Sequence, residues 1–193
     1  MSTALKRKTI LMIATIGLFI TFLGVFFLTT ELFSSGEKQQ TTIPNIEMIA
    51  EADQLVKVTT TPAFEYSFDR MTKGVLQHLD RDYTYDVIPG HLIGGMLFQG
   101  IHRPPKGTVV SMEILKPTTV SFFFHSRVDG GYSQIFEQLD GWKKISPAPQ
   151  YDIYNGDHGL DMTLYQLDAS PGFITIPATT KDRACFSIVF QEK

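Results

Sequence analysis

The sequence predicts an all-β protein: an antiparallel β-sandwich, jelly-roll-like, forming an ectodomain behind a single N-terminal transmembrane helix. Three observations lead there. Four separate segments alternate apolar and polar side chains with a period of two, the pattern of strands with one dry face. Turn signals fall between them, including Pro104-Pro105-Lys106-Gly107, Lys116-Pro117, Asp129-Gly130-Gly131, Asp140-Gly141 and Ser170-Pro171-Gly172. Finally, an uncharged run of 19 residues, Ile10–Leu28, follows Lys6, Arg7 and Lys8.

The elements follow in chain order. Residues 1–8 form a short cytoplasmic tail and residues 9–30 a signal anchor. As a helix, Ile10–Leu28 would span about 28 Å, close to the hydrocarbon thickness of a bilayer. The basic residues precede the run, so the positive-inside rule keeps the tail in the cytoplasm and sends the rest of the chain across, giving a single-pass type II protein. The alternative is a cleaved signal peptide, with Ser34 and Gly36 spaced as small residues before Glu37 and a secreted product. Residues 31–62 read as a polar stalk that buries too little apolar surface to fold, with Ile46, Ile49 and Leu55 as one face of a short helix within it.

The β-sandwich domain is assigned to residues 63–193. Val110, Met112 and Ile114 alternate with Ser111 and Glu113. Val120, Phe122 and Phe124 point inward against Ser121 and His125, with Phe123 on the opposite side as an apolar patch or a seat for a second layer. Leu160, Met162 and Leu164 alternate with Asp161 and Thr163, and Phe186, Ile188 and Phe190 with Ser187 and Gln191. Short strands separated by such turns suit a sandwich.

Three stretches, "LDRDYTYDVIPGHLIGG", "KGTVVSMEILKPTTVSFFFHSR" with "DGW", and "LDMTLYQLDASPGFITIPATT", together resemble β-sandwich accessory modules of secreted bacterial carbohydrate-processing enzymes and other cell-surface proteins. The resemblance covers about residues 73–191 and implies the same fold. It carries over no ligand residues.

Composition excludes some functions. A net charge of −3 with no basic cluster in the domain argues against nucleic acid. A single cysteine, Cys185, makes no intramolecular disulfide; by alternation it points away from Phe186, covered by a loop or, alternatively, bridging two copies of the chain. No catalytic residues are assigned. The stretch "YDIYNGDHGLDM", residues 151–162, is read as a turn, because Asn155-Gly156 and His158-Gly159 permit positive φ while aspartates bond local amides. Calcium at Asp152, Asp157 and Asp161 is the alternative, against a spacing that does not match an EF-hand loop; otherwise no cofactor is expected. The histidines His78, His91, His102, His125 and His158 form no HExxH-like pair, leaving His91 with His102 or His125 as the remaining zinc pairing. Asp80 and Asp82 would share a strand face as a solvated pair.

Aromatic residues on loops are the stronger functional lead. Trp142, Tyr132, Tyr151 and Tyr154 flank Gly- and Pro-rich turns, where flat rings beside polar groups suit stacking on sugars or packing on a protein. The sequence thus reads as a membrane-anchored extracellular binding module for a glycan or protein ligand, non-catalytic. The alternatives are a surface hydrolase using loop carboxylates and a structural envelope protein that self-associates into a homo-oligomer. The full-length chain is expected to sediment with membranes and to leave them only in detergent; recovery in the soluble fraction after lysis without detergent would contradict the anchor.

Overall fold

The alternating segments become the central strands of a computed structural model that describes residues 46–153, 156–179, 181 and 184–193. The anchor assigned to residues 9–30 lies outside these, and among the described residues no helix is long and apolar enough to cross a membrane. In chain order the elements are α1 (Ile46–Ala52), β1 (Val56–Thr61), β2 (Ser67–Arg70), β3 (Leu76–His78), β4 (Arg81–Val87), β5 (Met96–Gln99), β6 (Val109–Ile114), β7 (Thr118–His125), α2 (Tyr132–Phe136), β8 (Lys143–Ile145), β9 (Gln150–Asp152), β10 (Leu160–Ala169), β11 (Gly172–Ile176) and β12 (Phe186–Glu192). The class is all-β, and the strand pairings among the described residues are antiparallel.

Two sheets form. The smaller has the order β1-β6-β11; the larger runs β2-β5-β12-β7-β10-β9-β4-β3, with β8 also pairing to β10. One core cluster joins them. Val56, Val58, Val110, Met112, Ile114 and Ile176 come from the small sheet, and Phe68, Phe98, Phe122, Phe124, Phe186, Ile188 and Phe190 from the large one. At its centre Phe122 lies 5.0 Å from the Tyr132 ring, 4.9 Å from Phe136 and 5.1 Å from Phe186. These edge and stacked contacts add to the burial of large rings.

A second cluster occupies the opposite face of the large sheet. Phe123, Leu97 and Val189 meet Tyr85, Tyr151, Leu160, Met162 and Leu164 there, beneath β4 and β9. The Tyr85 hydroxyl donates to Ser187 Oγ across this layer (2.9 Å), and Leu79 N–H donates to the Gly100 carbonyl (3.0 Å). Phe123 therefore seats a second layer. The face expected to be wet is buried: Ser121, His125 and Ser187 are enclosed, because β3, β4 and β9 fold back over β7 and β12. Leu160, Met162 and Leu164 are inward-facing as alternation predicted, but toward this second cluster. β10 serves both layers, pairing with β7 from Met162 to Ala169 and with β9 and β8 on its other edge.

The domain also begins earlier than residue 63. The segment assigned to the stalk contains β1, whose residues alternate buried and exposed and pair with β6 from Val56↔Ile114 to Thr61↔Val109. Its threonines are β-branched and suit a half-buried pleat, so "VKVTTT" is a strand that polar composition disguised. The short helix expected around Ile46 and Ile49 is α1, and Ala52 and Leu55 reach the main core.

Phe122→Ala is expected to lower unfolding free energy by about 3–5 kcal/mol, since it opens a cavity inside a ring cluster. Phe173→Ala, on β11 and 82% exposed, should change it by no more than about 0.5 kcal/mol; urea denaturation of both variants measures the contrast.

Candidate functional site

Three histidines and the only cysteine of the chain meet beneath the second layer. His78 ends β3, His102 follows β5, His125 ends β7 and Cys185 immediately precedes β12. Strand register explains part of the convergence: Phe186 pairs with Phe124, so the next residues outward, Cys185 and His125, are neighbours across two strands and share the face opposite the main core. One ligand atom each from His102, His125 and Cys185 lies within 4.8 Å of the other two. The His78 ring centroid is 5.1 Å from that of His102 and 6.0 Å from that of His125.

Each group is held by the chain around it. Asp80 Oδ1 accepts from the His102 N–H (2.7 Å), and the Cys185 thiol donates to the His102 carbonyl (2.6 Å). His125 Nε2 lies 2.8 Å from Gln77 Oε1, and its ring stacks on Tyr151 at 4.2 Å and 9°. Tyr83 stands edge-on to His102 at 5.1 Å. Gly130 fixes the segment before Cys185: a Cβ there would lie 2.4 Å from Ala184 Cα, and its φ of 58° is one that glycine adopts without strain. His78 differs from its neighbours. It is 1% exposed, and neither ring nitrogen has a hydrogen-bond partner among the described residues; nor does the enclosed Nδ1 of His102.

Burial sets the protonation of the cluster. It pushes His102 down to about 4, with Arg81 and Arg103 adding to the effect, and His125 down to about 4, with His102 contributing. His78 is lowered as well, first by burial and then by His125, His102 and Arg81. The Cys185 thiol is pushed up to about 11 by burial. At neutral pH the site thus holds neutral imidazoles and a protonated thiol.

Of the residues singled out in sequence, Tyr151 forms the floor under His125, and Tyr132 packs in the main core against Phe122. Both are buried, and Tyr132 also borders the cleft described below. Trp142 is half-buried against Phe136 at 4.8 Å, and Tyr154 lies outside the described residues. In the glycine-rich loop Asp152 accepts from the Gly159 N–H (2.7 Å) and pairs with His158 (3.0 Å), Asp157 lies 3.6 Å from Arg127, and Asp161 accepts from Gln150 (2.7 Å). Among the described residues these aspartates do not form a common ligand set. His91 is exposed and apart from the cluster. Cys185 is 4% exposed, which keeps its sulfur from meeting a second chain while the fold is closed.

Beside the cluster in sequence, Arg103–Thr108, Tyr132, Thr179, Lys181 and Ala184 line a cleft of about 290 Å³. Arg103, Lys106 and Lys181 bring positive charge to it. Asp129 lies 3.9 Å from Lys181 but is engaged by the Gly131 N–H (2.8 Å), which holds its carboxyl below the usual range.

No protein-family model matches this chain, and no curated protein matches it in sequence. Among solved structures it is similar to a β-glucuronidase from glycoside hydrolase family 2, at 13% identity and a TM-score of 0.52, over 70% of this chain and 14% of that one. A GH138 enzyme targeting pectin rhamnogalacturonan II is similar at 15% identity and a TM-score of 0.45, over 77% of this chain and 19% of that one. This chain thus spans a small part of either enzyme. The likeness to the β-glucuronidase is one of fold, and at that level it agrees with the resemblance drawn from the sequence motifs.

The neutral imidazoles make stability pH-dependent. The unfolded chain protonates these histidines near 6.5, while the folded chain resists until about 4, so unfolding takes up protons in that window. Stability is complete above about 6.5 and falls as pH drops toward about 4, with His125 alone costing on the order of 3 kcal/mol. Urea midpoints of chelator-treated protein across this range should follow that slope, and His125→Gln should flatten it.

Proposed function

We propose that this chain is a membrane-tethered, non-catalytic β-sandwich module, jelly-roll-like, displayed outside the cytoplasm, and that it binds an acidic saccharide in the cleft bordered by Arg103, Lys106 and Lys181. The observation that carries the reading is the composition of that cleft: two lysines, an arginine and two threonines, with no carboxylate among the described lining residues. A guanidinium offers paired N–H donors to a carboxylate, and lysine adds a mobile charge. The volume suits one or two sugar rings rather than a long chain.

Display outside the cytoplasm is supported by the basic cluster followed by the uncharged run Ile10–Leu28. A carbohydrate ligand is supported by the fold likeness to a β-glucuronidase, and its acidity by the cations of the cleft. A glycosidase of the usual kind needs two carboxylates flanking the scissile bond, whereas the described lining supplies charge of the opposite sign. Binding is therefore the better reading of the cleft than hydrolysis.

Calorimetric titration of the detergent-solubilised full chain with a galacturonate oligomer, and with a neutral glucose oligomer of equal length, tests this. The acidic ligand should bind, more weakly as salt rises, and Arg103→Ala or Lys181→Ala should each weaken it about tenfold or more. Equal binding of both oligomers, binding of neither, or indifference to both substitutions would refute the proposal.

A further inference from the structure

We infer that His78, His102, His125 and Cys185 form a closed structural site for one transition-metal ion of the zinc class, distinct from the cationic cleft. The donor set is nitrogen and sulfur, which suits zinc and its neighbours and does not suit calcium or magnesium. Three candidate ligand atoms already lie within 4.8 Å of one another. Tetrahedral zinc places such atoms roughly 3.5 Å apart, so these three would draw closer around an ion and His78 would turn in as the fourth ligand.

His78 supplies the independent observation. Its ring is 1% exposed and lies beside the cluster, 5.1 Å from His102 and 6.0 Å from His125 between centroids, with both nitrogens unpartnered among the described residues. Leaving a buried polar group without a partner is costly, and Nδ1 of His102 shares the condition. A cation among these groups gives their lone pairs a partner. The surroundings have the form of a metal shell: Gln77 Oε1 faces His125 Nε2 and leaves Nδ1 as the ligand, Asp80 holds the His102 backbone, and Tyr151 and Tyr83 wall off solvent.

On binding, the Cys185 thiol gives up its proton to solvent and the sulfur's electron pair bonds the ion. The hydrogen bond to the His102 carbonyl is exchanged for that bond. Four protein ligands leave no open position, which marks a structural ion rather than a catalytic one. The ion would tie β3, the segment after β5, the end of β7 and the segment before β12 at one point.

The test uses the full chain, solubilised in detergent and stripped with chelator, then titrated with Co²⁺ and separately with Zn²⁺. Cobalt should saturate at one equivalent with a thiolate-to-metal charge-transfer band. Because Cys185 is the only thiol in the chain, that band reports the site without any substitution. Zinc should displace cobalt and raise the melting temperature, Cys185→Ser should abolish the band, and His125→Gln should weaken binding at least about tenfold, while His91→Gln leaves it unchanged. Absence of saturable binding, or saturation without the charge-transfer band in the unsubstituted chain, would overturn the assignment even if the variants fail to fold.

Discussion

The structure depends on β7 being buried on both faces. Phe122 and Phe124 fill the core shared by the two sheets, while Phe123 lies in a second core beneath β4 and β9. A strand with two dry faces needs cover on each side, and the chain supplies it by folding β3, β4 and β9 back over the sheet to which they belong. The rest follows from that cover. Polar residues that alternation places on the outer face of β7 and β12 are shut in, and each has to find a partner inside. Ser187 takes the Tyr85 hydroxyl, Ser121 takes Gln166, and His125 takes Gln77. Among the described residues, His78 finds no such partner at either ring nitrogen, and His102 finds none at Nδ1.

The histidine cluster and the cationic cleft share the same two segments. His102 and Arg103 are adjacent in the chain, as are Ala184 and Cys185; one member of each pair belongs to the buried cluster and the other to the cleft lining. Whatever fixes His102 and Cys185 thereby also fixes the backbone from which Arg103 and Ala184 project. The Asp80 carboxylate on the His102 N–H and the close approach of Gly130 to Ala184 act on this shared frame from two directions.

Much of the fold was legible in the sequence because side-chain parity is a local property. The inward residues of β6, β7 and β12 were readable from their period of two, and the second layer was foreshadowed by Phe123 on the wrong face for a simple sheet. β1 was missed because threonine counts as polar in composition yet packs well on a pleat. The site was legible only in part. Alternation put His125 opposite Phe124 and Cys185 opposite Phe186, hence each off the main core, but nothing local says that β7 and β12 are neighbours. His78 and His102 carry no spacing signal at all, since the β3–β4 hairpin and the segment after β5 are brought together by tertiary hydrogen bonds. The burial of Tyr132 and Tyr151 was likewise not legible: proximity to a glycine says nothing about which layer closes over a ring.

The ten residues of β10 take part in both cores, with Tyr165 and Ala169 in one and Leu160, Met162 and Leu164 in the other. Detaching the covering layer would strip one edge of this strand, and dissolving the sheet beneath would strip the other. Loss of either neighbour therefore exposes apolar residues of β10 and weakens the other core through the strand they share, which favours cooperative unfolding of the two clusters.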